Sequence, residues 1–101
     1  MANAQLEITY DRPRRHLEEA VHVALEELGY DERRDDEGDI LAVSGMSWAS
    51  WGEEIAIQIA ERGNSTCVRY ESVADRQFFD WGKSRRNVRE LSDEVERRLL
   101  A

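Results

Sequence analysis

Four stretches of the chain have the hydrophobic pattern of β-strands. Apolar and polar residues alternate over residues 6–10 and 54–60, which is the two-residue period of a half-buried strand. Residues 40–46 form a short apolar run, and residues 66–73 place Val68 and Tyr70 as inward positions. The glycine and asparagine of residues 62–65 predict a hairpin turn between the last two strands.

Two further stretches have the 3.6-residue period of an amphipathic helix. Apolar residues recur at helical spacing over residues 17–28, where Gly29 provides a C-terminal stop. Asp11 offers an N-cap oxygen, and Pro13 suits the first helical turn. A second apolar stripe covers residues 88–99. The nearly all-charged segment 31–39 is predicted to be a solvated loop, with a frayed strand within it as the alternative.

The resulting order is strand, helix, three strands, helix, or β-α-β-β-β-α. Adjacent strands flanked by helices predict an α+β fold, with a mostly antiparallel sheet and two helices packed on one face. The pattern leaves the pairing partner of the first strand open. A length of 101 residues fits a single domain over residues 1–101.

The charge balance narrows the range of partners. The chain has 22 acidic and 14 basic residues, and its formal charge of −8 makes nucleic acid and anionic membranes unfavourable partners. Lys83 is the one lysine among the basic residues. Abundant acid with little lysine is typical of proteins from salt-loving organisms, although a GC-rich genome also favours arginine. No apolar run approaches a membrane span, and residues 1–10 do not resemble a signal peptide, so we expect a cytoplasmic protein.

The connections at residues 47–52 and 74–82 are rich in aromatic residues, and both helices begin with basic residues. If the strands alternate in direction, both connections and both helix starts meet at one end of the sheet. Helix starts favour acidic residues, so basic ones there indicate an anion site. The predicted function is a non-enzymatic binding domain for a small anionic or aromatic ligand. The predicted ligand-binding residues are Arg14, Arg15, Trp48, Trp51, Trp81, Lys83, Arg85 and Arg86. Alternatively, the tryptophans close the end of the core and the arginines form ordinary surface ion pairs.

The outward face of the sheet supports a second hypothesis, a protein-interaction domain that binds a partner or forms a weak homodimer. Small side chains permit the close approach of another protein, although such a face is also compatible with simple solvation. The predicted outward residues are Thr9, Ala42, Ala56, Gln58, Ala60, Cys67, Arg69 and Glu71.

Catalytic chemistry has little support in the sequence. His16 and Asp11 form the one candidate acid/base pair, for a hydrolytic or isomerising enzyme, but no nucleophile accompanies them. His16 and His22 are six residues apart and do not share a helix face as metal ligands would. Cys67 is the single cysteine and is predicted to be inert. We therefore expect no metal and no cofactor.

Two motifs carry a resemblance. Residues 45–53 (Gly-Met-Ser-Trp-Ala-Ser-Trp-Gly-Glu) and 79–83 (Phe-Asp-Trp-Gly-Lys) resemble small prokaryotic domains of unknown function. In those domains, a Ser-Trp-x-Ser-Trp-Gly-Glu-like hairpin precedes a strand and an Asp-Trp-Gly-Lys-like element opens the last helix. Ser84 departs from the asparagine that often follows there. The resemblance implies a compact strand–helix–three-strand–helix domain and transfers no activity.

Overall fold

The computed structural model describes residues 4–44, 54–73 and 81–100, and the side chains within these ranges except at residues 4, 44, 73 and 81–84. A single strand is followed by a helix, and four further strands are followed by a second helix. In chain order they are β1 (Ala4–Tyr10), α1 (Arg14–Leu28), β2 (Tyr30–Arg34), β3 (Ile40–Ser44), β4 (Glu54–Arg62), β5 (Ser65–Val73) and α2 (Trp81–Leu100).

The strands form one antiparallel sheet in the order β1-β5-β4-β3-β2. The first strand therefore pairs with the last, with Leu6 opposite Tyr70 and Ile8 opposite Val68. α1 contacts β2, β4 and β5, while α2 contacts β1 and β5, and the two helices contact each other. The predicted α+β fold with both helices on one face of an antiparallel sheet is confirmed.

The core lies between that sheet face and the helix pair. Alternate sheet residues such as Ile57, Val68 and Tyr70 are fully buried there. They meet the apolar stripes of the helices, in which Leu17 and Leu91 are likewise fully buried. The apolar residues that alternate in the strands and those that recur at helical spacing therefore face each other across one core.

Strand β2 contradicts a solvated loop over the whole of residues 31–39 and agrees with the alternative of a strand within it, because Tyr30–Arg34 pairs with β3. Asp35 makes the turn that follows: its Oδ1 accepts the backbone N–H of Glu37 and of Asp39, each at 2.9 Å. Gly38 adopts a left-handed conformation with φ 87°. Charged side chains conceal this strand because, at a sheet edge, most of them reach water.

The ends of α1 show one wrong and one confirmed prediction. The N-cap residue is Pro13, in extended conformation, and no side chain caps the helix, so the predicted cap by Asp11 is wrong. At the other end, Gly29 adopts φ 83° and its N–H bonds to the last turn, as predicted. The predicted hairpin is also confirmed, with Gly63 at φ 63° between β4 and β5.

The predicted outward residues are correct except for one. Ala42 is fully buried, because it pairs with Ile55, whose side chain points into the core. Its neighbours Leu41 and Val43 are the outward residues of β3, and both are half-buried. The run Ile-Leu-Ala-Val contains no polar residue, so its sequence does not show which residues face the core and which face outward.

Candidate functional site

The two helix starts lie at opposite ends of the sheet, which contradicts the predicted convergence. Tyr10, which precedes α1, pairs with Thr66 at the hairpin between β4 and β5. Thr66 Oγ1 also donates a 2.7 Å hydrogen bond to the carbonyl of Arg12, so α1 begins at this hairpin end. By contrast, Val73 at the end of β5 lies at the far end of the sheet, since Ser72 pairs with Ala4.

The direction of α2 agrees with this separation. Its last residues, Leu99 and Leu100, line the same groove as Tyr10 and Arg12, at the hairpin end. A helix of 20 residues is about 30 Å long, so Trp81 begins α2 at the far end. The predicted geometry failed for two reasons: β2 adds one more pass across the sheet, and β1 runs antiparallel to β5.

Six of the eight predicted ligand-binding residues therefore fall into two groups, and the other two lie outside the described residues. Arg14 and Arg15 lie at the hairpin end, where Arg14 Nε donates a 3.2 Å bond to Glu18. Trp81, Lys83, Arg85 and Arg86 belong to the start of α2, and Trp48 and Trp51 lie outside the described residues. The two alternatives for the tryptophans, a ligand site or a closure of the core, both stay predictions.

Near its start, α2 carries basic side chains that have no partner among the described residues. Arg85, Arg86 and Arg89, which we call the α2 arginine cluster, are all exposed. None of the three guanidinium groups makes an ion pair or hydrogen bond with another described residue. The first turn of α2 contains no acidic residue, and the cluster adds to the positive potential of this helix start.

The sheet face opposite the helices is uncovered by any described element. We call it the open face. It is formed by alternate residues of all five strands, and its centre is the half-buried trio Leu41, Val43 and Ala56, with Leu41 directly opposite Ala56. Sequence reasoning missed Leu41 and Val43. The sequence of β3 held no signal for them, because only its register with β4 assigns these two residues to the open face.

Mostly polar residues surround this trio on the open face. The remaining ones are Gln5, Glu7, Thr9, Asp31, Arg33, Glu54, Gln58, Ala60, Cys67, Arg69 and Glu71. Gln58 Nε2 donates to Asp39 Oδ2 at 3.2 Å. Cys67 is half-buried here, on the face away from the core.

Arg69 crosses the open face between β1 and β5. Its Nη2 donates to Gln5 Oε1 at 3.2 Å and lies 3.8 Å from Glu71 Oε1. The Arg69 Nε–H is buried and has no partner among the described residues. A buried donor without an acceptor is costly, and water or another protein satisfies such a group when it reaches it.

The predicted acid/base pair of His16 and Asp11 is not formed in the described structure. His16 and Asp11 are not hydrogen-bonded to each other and face two different grooves, at the hairpin end. His22 Nδ1 lies 2.7 Å from Glu32 Oε1, and this hydrogen bond raises the pKa of the imidazole. Within the described ranges, no three acidic, histidine or cysteine side chains are placed to hold a metal ion. None of the described helices is long and apolar enough to cross a membrane.

Comparison with solved structures gives the same fold. Protein MLL2253 from Mesorhizobium loti superposes with a TM-score of 0.63 at 15% sequence identity, over 96% of both chains. TTHA0849 from Thermus thermophilus superposes with a TM-score of 0.53 at 13% identity, over 97% of both chains. At such identities the likeness shows the fold alone.

No family model matches the chain, and no curated protein matches it. The resemblance to small prokaryotic domains with a tryptophan-rich hairpin therefore stays a prediction.

Proposed function

We propose that this protein is a non-enzymatic interaction domain that binds another polypeptide through its open face. The observation that carries the proposal is the combination of Leu41, Val43 and Ala56 with the buried, unpartnered Nε–H of Arg69 on one uncovered surface of the described structure. An apolar centre with a polar surround is the composition of a protein interface.

Each part of the open face has a separate role in such an interface. The trio supplies apolar area, and its small member Ala56 lets a partner approach the sheet closely. Arg69 supplies directional hydrogen bonding, since its side chain is 40% exposed and its guanidinium group can donate to a partner carbonyl or carboxylate. Glu7, Glu54 and Glu71 make the surround mainly acidic, which favours a partner with basic residues at its periphery.

A second candidate function is the binding of a small anion at the start of α2. The observation that favours it is the α2 arginine cluster, three exposed guanidinium groups without a described partner, near a helix start whose first turn contains no acidic residue. This retains the part of the predicted anion site that belongs to α2. Arg14 and Arg15 are not part of it, because they lie at the other end of the sheet.

Two variants with the same change of charge separate these functions. Ala56→Glu places a carboxylate at the centre of the open face, and Arg86→Gln removes one member of the α2 arginine cluster. Each variant lowers the net charge by one. Polypeptides from the source cell are captured on the immobilised wild type and on both variants, and the amounts are compared by quantitative mass spectrometry.

If the open face binds the partner, specific polypeptides are lost from Ala56→Glu and retained by Arg86→Gln. The reverse pattern, together with amide NMR shifts around Arg85 and Arg89 on titration with inorganic phosphate, would instead support the anion site. Equal capture by all three proteins refutes the open-face proposal. Thermal unfolding of Ala56→Glu verifies that the variant is folded, which we expect since the residue points away from the core.

A further inference from the structure

The two edges of the sheet differ in how they are protected against pairing with another strand. β2 has the sequence Tyr-Asp-Glu-Arg-Arg, and it turns the charged residues Glu32 and Arg34 toward the helix side of the sheet. Inward charges and a short length are features that prevent edge strands from pairing. β1 is seven residues long, contains no proline or lysine, and turns only apolar residues and Tyr10 inward.

Apolar surface is exposed along the β1 edge. Leu6 and Ile8 are only half-buried, although Tyr70 and Val68, which face them on β5, are fully buried. Beside them, Leu100 at the end of α2 is 75% exposed, the large hydrophobic residue most open to water in the described part of the chain. No described strand pairs with the outer edge of β1.

A groove of about 440 Å³ runs between this edge and the end of α2. We call it the β1 groove. Ile8 and Tyr10 form its floor on the strand side, while Leu99 and Leu100 form its helix side. Arg12 and Glu96 also line it, so the groove presents both signs of charge next to an apolar wall.

We propose that a second copy of this chain pairs with β1, so that the two β1 strands join antiparallel into one continuous sheet. A two-fold axis through Ile8 is the favourable register. It places Ile8 opposite Ile8, Leu6 opposite Tyr10, and Glu7 opposite Thr9 of the second copy. Apolar residues then meet on the helix side, and the acidic Glu7 residues do not face each other.

The same axis accounts for the exposed leucine. Leu100 lines one groove with Tyr10, and Tyr10 lies opposite Leu6 of the second copy in this register. The exposed Leu100 of each copy therefore comes on the side of the half-buried Leu6 of the other. A two-fold interface requires a surface that complements itself, and this edge provides both the strand and an apolar knob, Leu100, beside it.

The pairing is independent of the proposed function but would extend it. Two copies joined at β1 form a ten-stranded sheet, on which both open faces lie on the same side. A partner polypeptide would then meet a doubled surface. The net charge of −8 on each copy opposes association, so we expect tighter pairing as salt screens the repulsion.

Sedimentation equilibrium of the full chain and of matched variants tests the pairing. Thr9→Glu creates two like-charged pairs with Glu7 of the second copy, and Thr9→Lys creates two opposite-charged pairs. Arg33→Gln and Asp31→Asn on the β2 edge change the net charge by the same amounts, −1 and +1, without touching β1. Leu100→Ser removes the apolar knob.

We expect a monomer–dimer equilibrium that Thr9→Glu weakens by about tenfold and Thr9→Lys strengthens, each relative to its matched control. Leu100→Ser should weaken it too. A monomer at all concentrations up to about 1 mM, at low and at high potassium chloride, would overturn the proposal. So would a dimer that responds equally to Thr9→Glu and Arg33→Gln, since that response reflects net charge alone. Loss of polypeptide capture by Ala56→Glu with the dimer intact would concern only the open face.

Discussion

The hydroxyl groups of Tyr10 and Tyr70 are 2.7 Å apart and form a hydrogen bond inside the core, although the residues are 60 positions apart in the chain. Tyr10 is the last residue of β1 and Tyr70 lies in the middle of β5, so the bond joins the first strand to the last. Burial raises the pKa of both hydroxyls, which therefore stay protonated at neutral pH. Each group thus relies on the other as its described partner.

Replacing Tyr10 by phenylalanine should be more costly than the loss of one hydroxyl implies. The Tyr10→Phe variant leaves the fully buried Tyr70 hydroxyl without its described partner, a defect that costs about 1–3 kcal/mol of unfolding free energy. The double variant Tyr10→Phe/Tyr70→Phe should lose less than the sum of the two single variants, because no orphaned hydroxyl remains. Urea unfolding of the three variants measures this, and strict additivity would contradict the role assigned to the bond.

The connection between α1 and β2 consists of one residue, Gly29, in a left-handed conformation with φ 83°. No atom lies within 4 Å of where a Cβ would be, so Gly29→Ala meets only backbone strain. We expect a loss of about 1 kcal/mol in unfolding free energy, without any change in the fold. Gly29→Asn is the comparison, because asparagine adopts the left-handed conformation more readily than alanine does. An equally large loss in Gly29→Asn would show that the left-handed conformation of Gly29 does not set the cost.

Strand β2, which follows Gly29, marks the point at which the sequence no longer predicts the topology of the sheet. Periodicity located the core positions of β1, β4, β5 and both helices, because each has one apolar face. It indicated β2 only as a frayed strand within a solvated loop, because the charged residues of β2 reach solvent at a sheet edge, and it therefore missed the number of passes across the sheet. That number decides which connections share an end, so the predicted meeting of Arg14 with Lys83 failed even though most elements were correct.

The candidate site shows the same limit. Arg85 and Arg86 were identifiable from the sequence, because basic residues at a helix start oppose the dipole wherever the helix lies. The apolar trio of the open face was only partly identifiable. Ala56 follows from the alternation in β4, whereas the outward orientation of Leu41 follows only from its pairing with β4. The local hydrophobic pattern assigns a residue to a helix or strand, but only the pairing of strands distant in sequence shows which face of the sheet the residue lies on.

His22 and Glu32 should make the stability depend on pH. The hydrogen bond to Glu32, followed by the Coulomb attraction of its carboxylate, raises the folded-state pKa of His22 above its ordinary value of 6.5. The folded state therefore holds the proton more tightly than the unfolded state does. The stabilising contribution is complete below the unfolded pKa near 6.5 and disappears as pH rises through the raised folded pKa.

The Glu32→Gln variant tests this coupling. NMR titration of the His22 ring should give a pKa above 6.5 in the wild type and a lower value in the variant. The stability difference between the two proteins should be largest at acidic pH, where the imidazole is charged but the carboxylate is still ionised, and should shrink above neutral pH. His16 is the internal control, because it has no described acidic partner. A His22 pKa unchanged by Glu32→Gln would contradict the coupling.

Glu94 is a buried carboxylate that pairs with two arginines of its own helix, and its loss should be far more costly than that of a similar surface pair. Its side chain is 6% exposed and lies 2.6 Å from Arg97 Nη1 and 2.9 Å from Arg98 Nη2, while Arg98 Nη2 also lies 3.5 Å from Glu27 on α1. Hydrogen bonds between charged groups contribute about 1.5–3 kcal/mol when shielded from water. We expect Glu94→Gln to lower the unfolding free energy by about 1–2 kcal/mol. This is less than the value for fully shielded groups because both arginines are partly exposed to water.

The matched control is Glu18→Gln. Glu18 accepts from Arg14 four residues earlier in α1, with 41% and 47% of the two side chains exposed, so water competes for both charges. Exposed pairs of this kind contribute at most about 0.5 kcal/mol. Chemical denaturation of both variants at low and high salt distinguishes the two cases, because screening should erase the effect of Glu18→Gln and leave most of that of Glu94→Gln. Equal losses in the two variants would mean that Glu94, despite its burial, acts as one more surface charge.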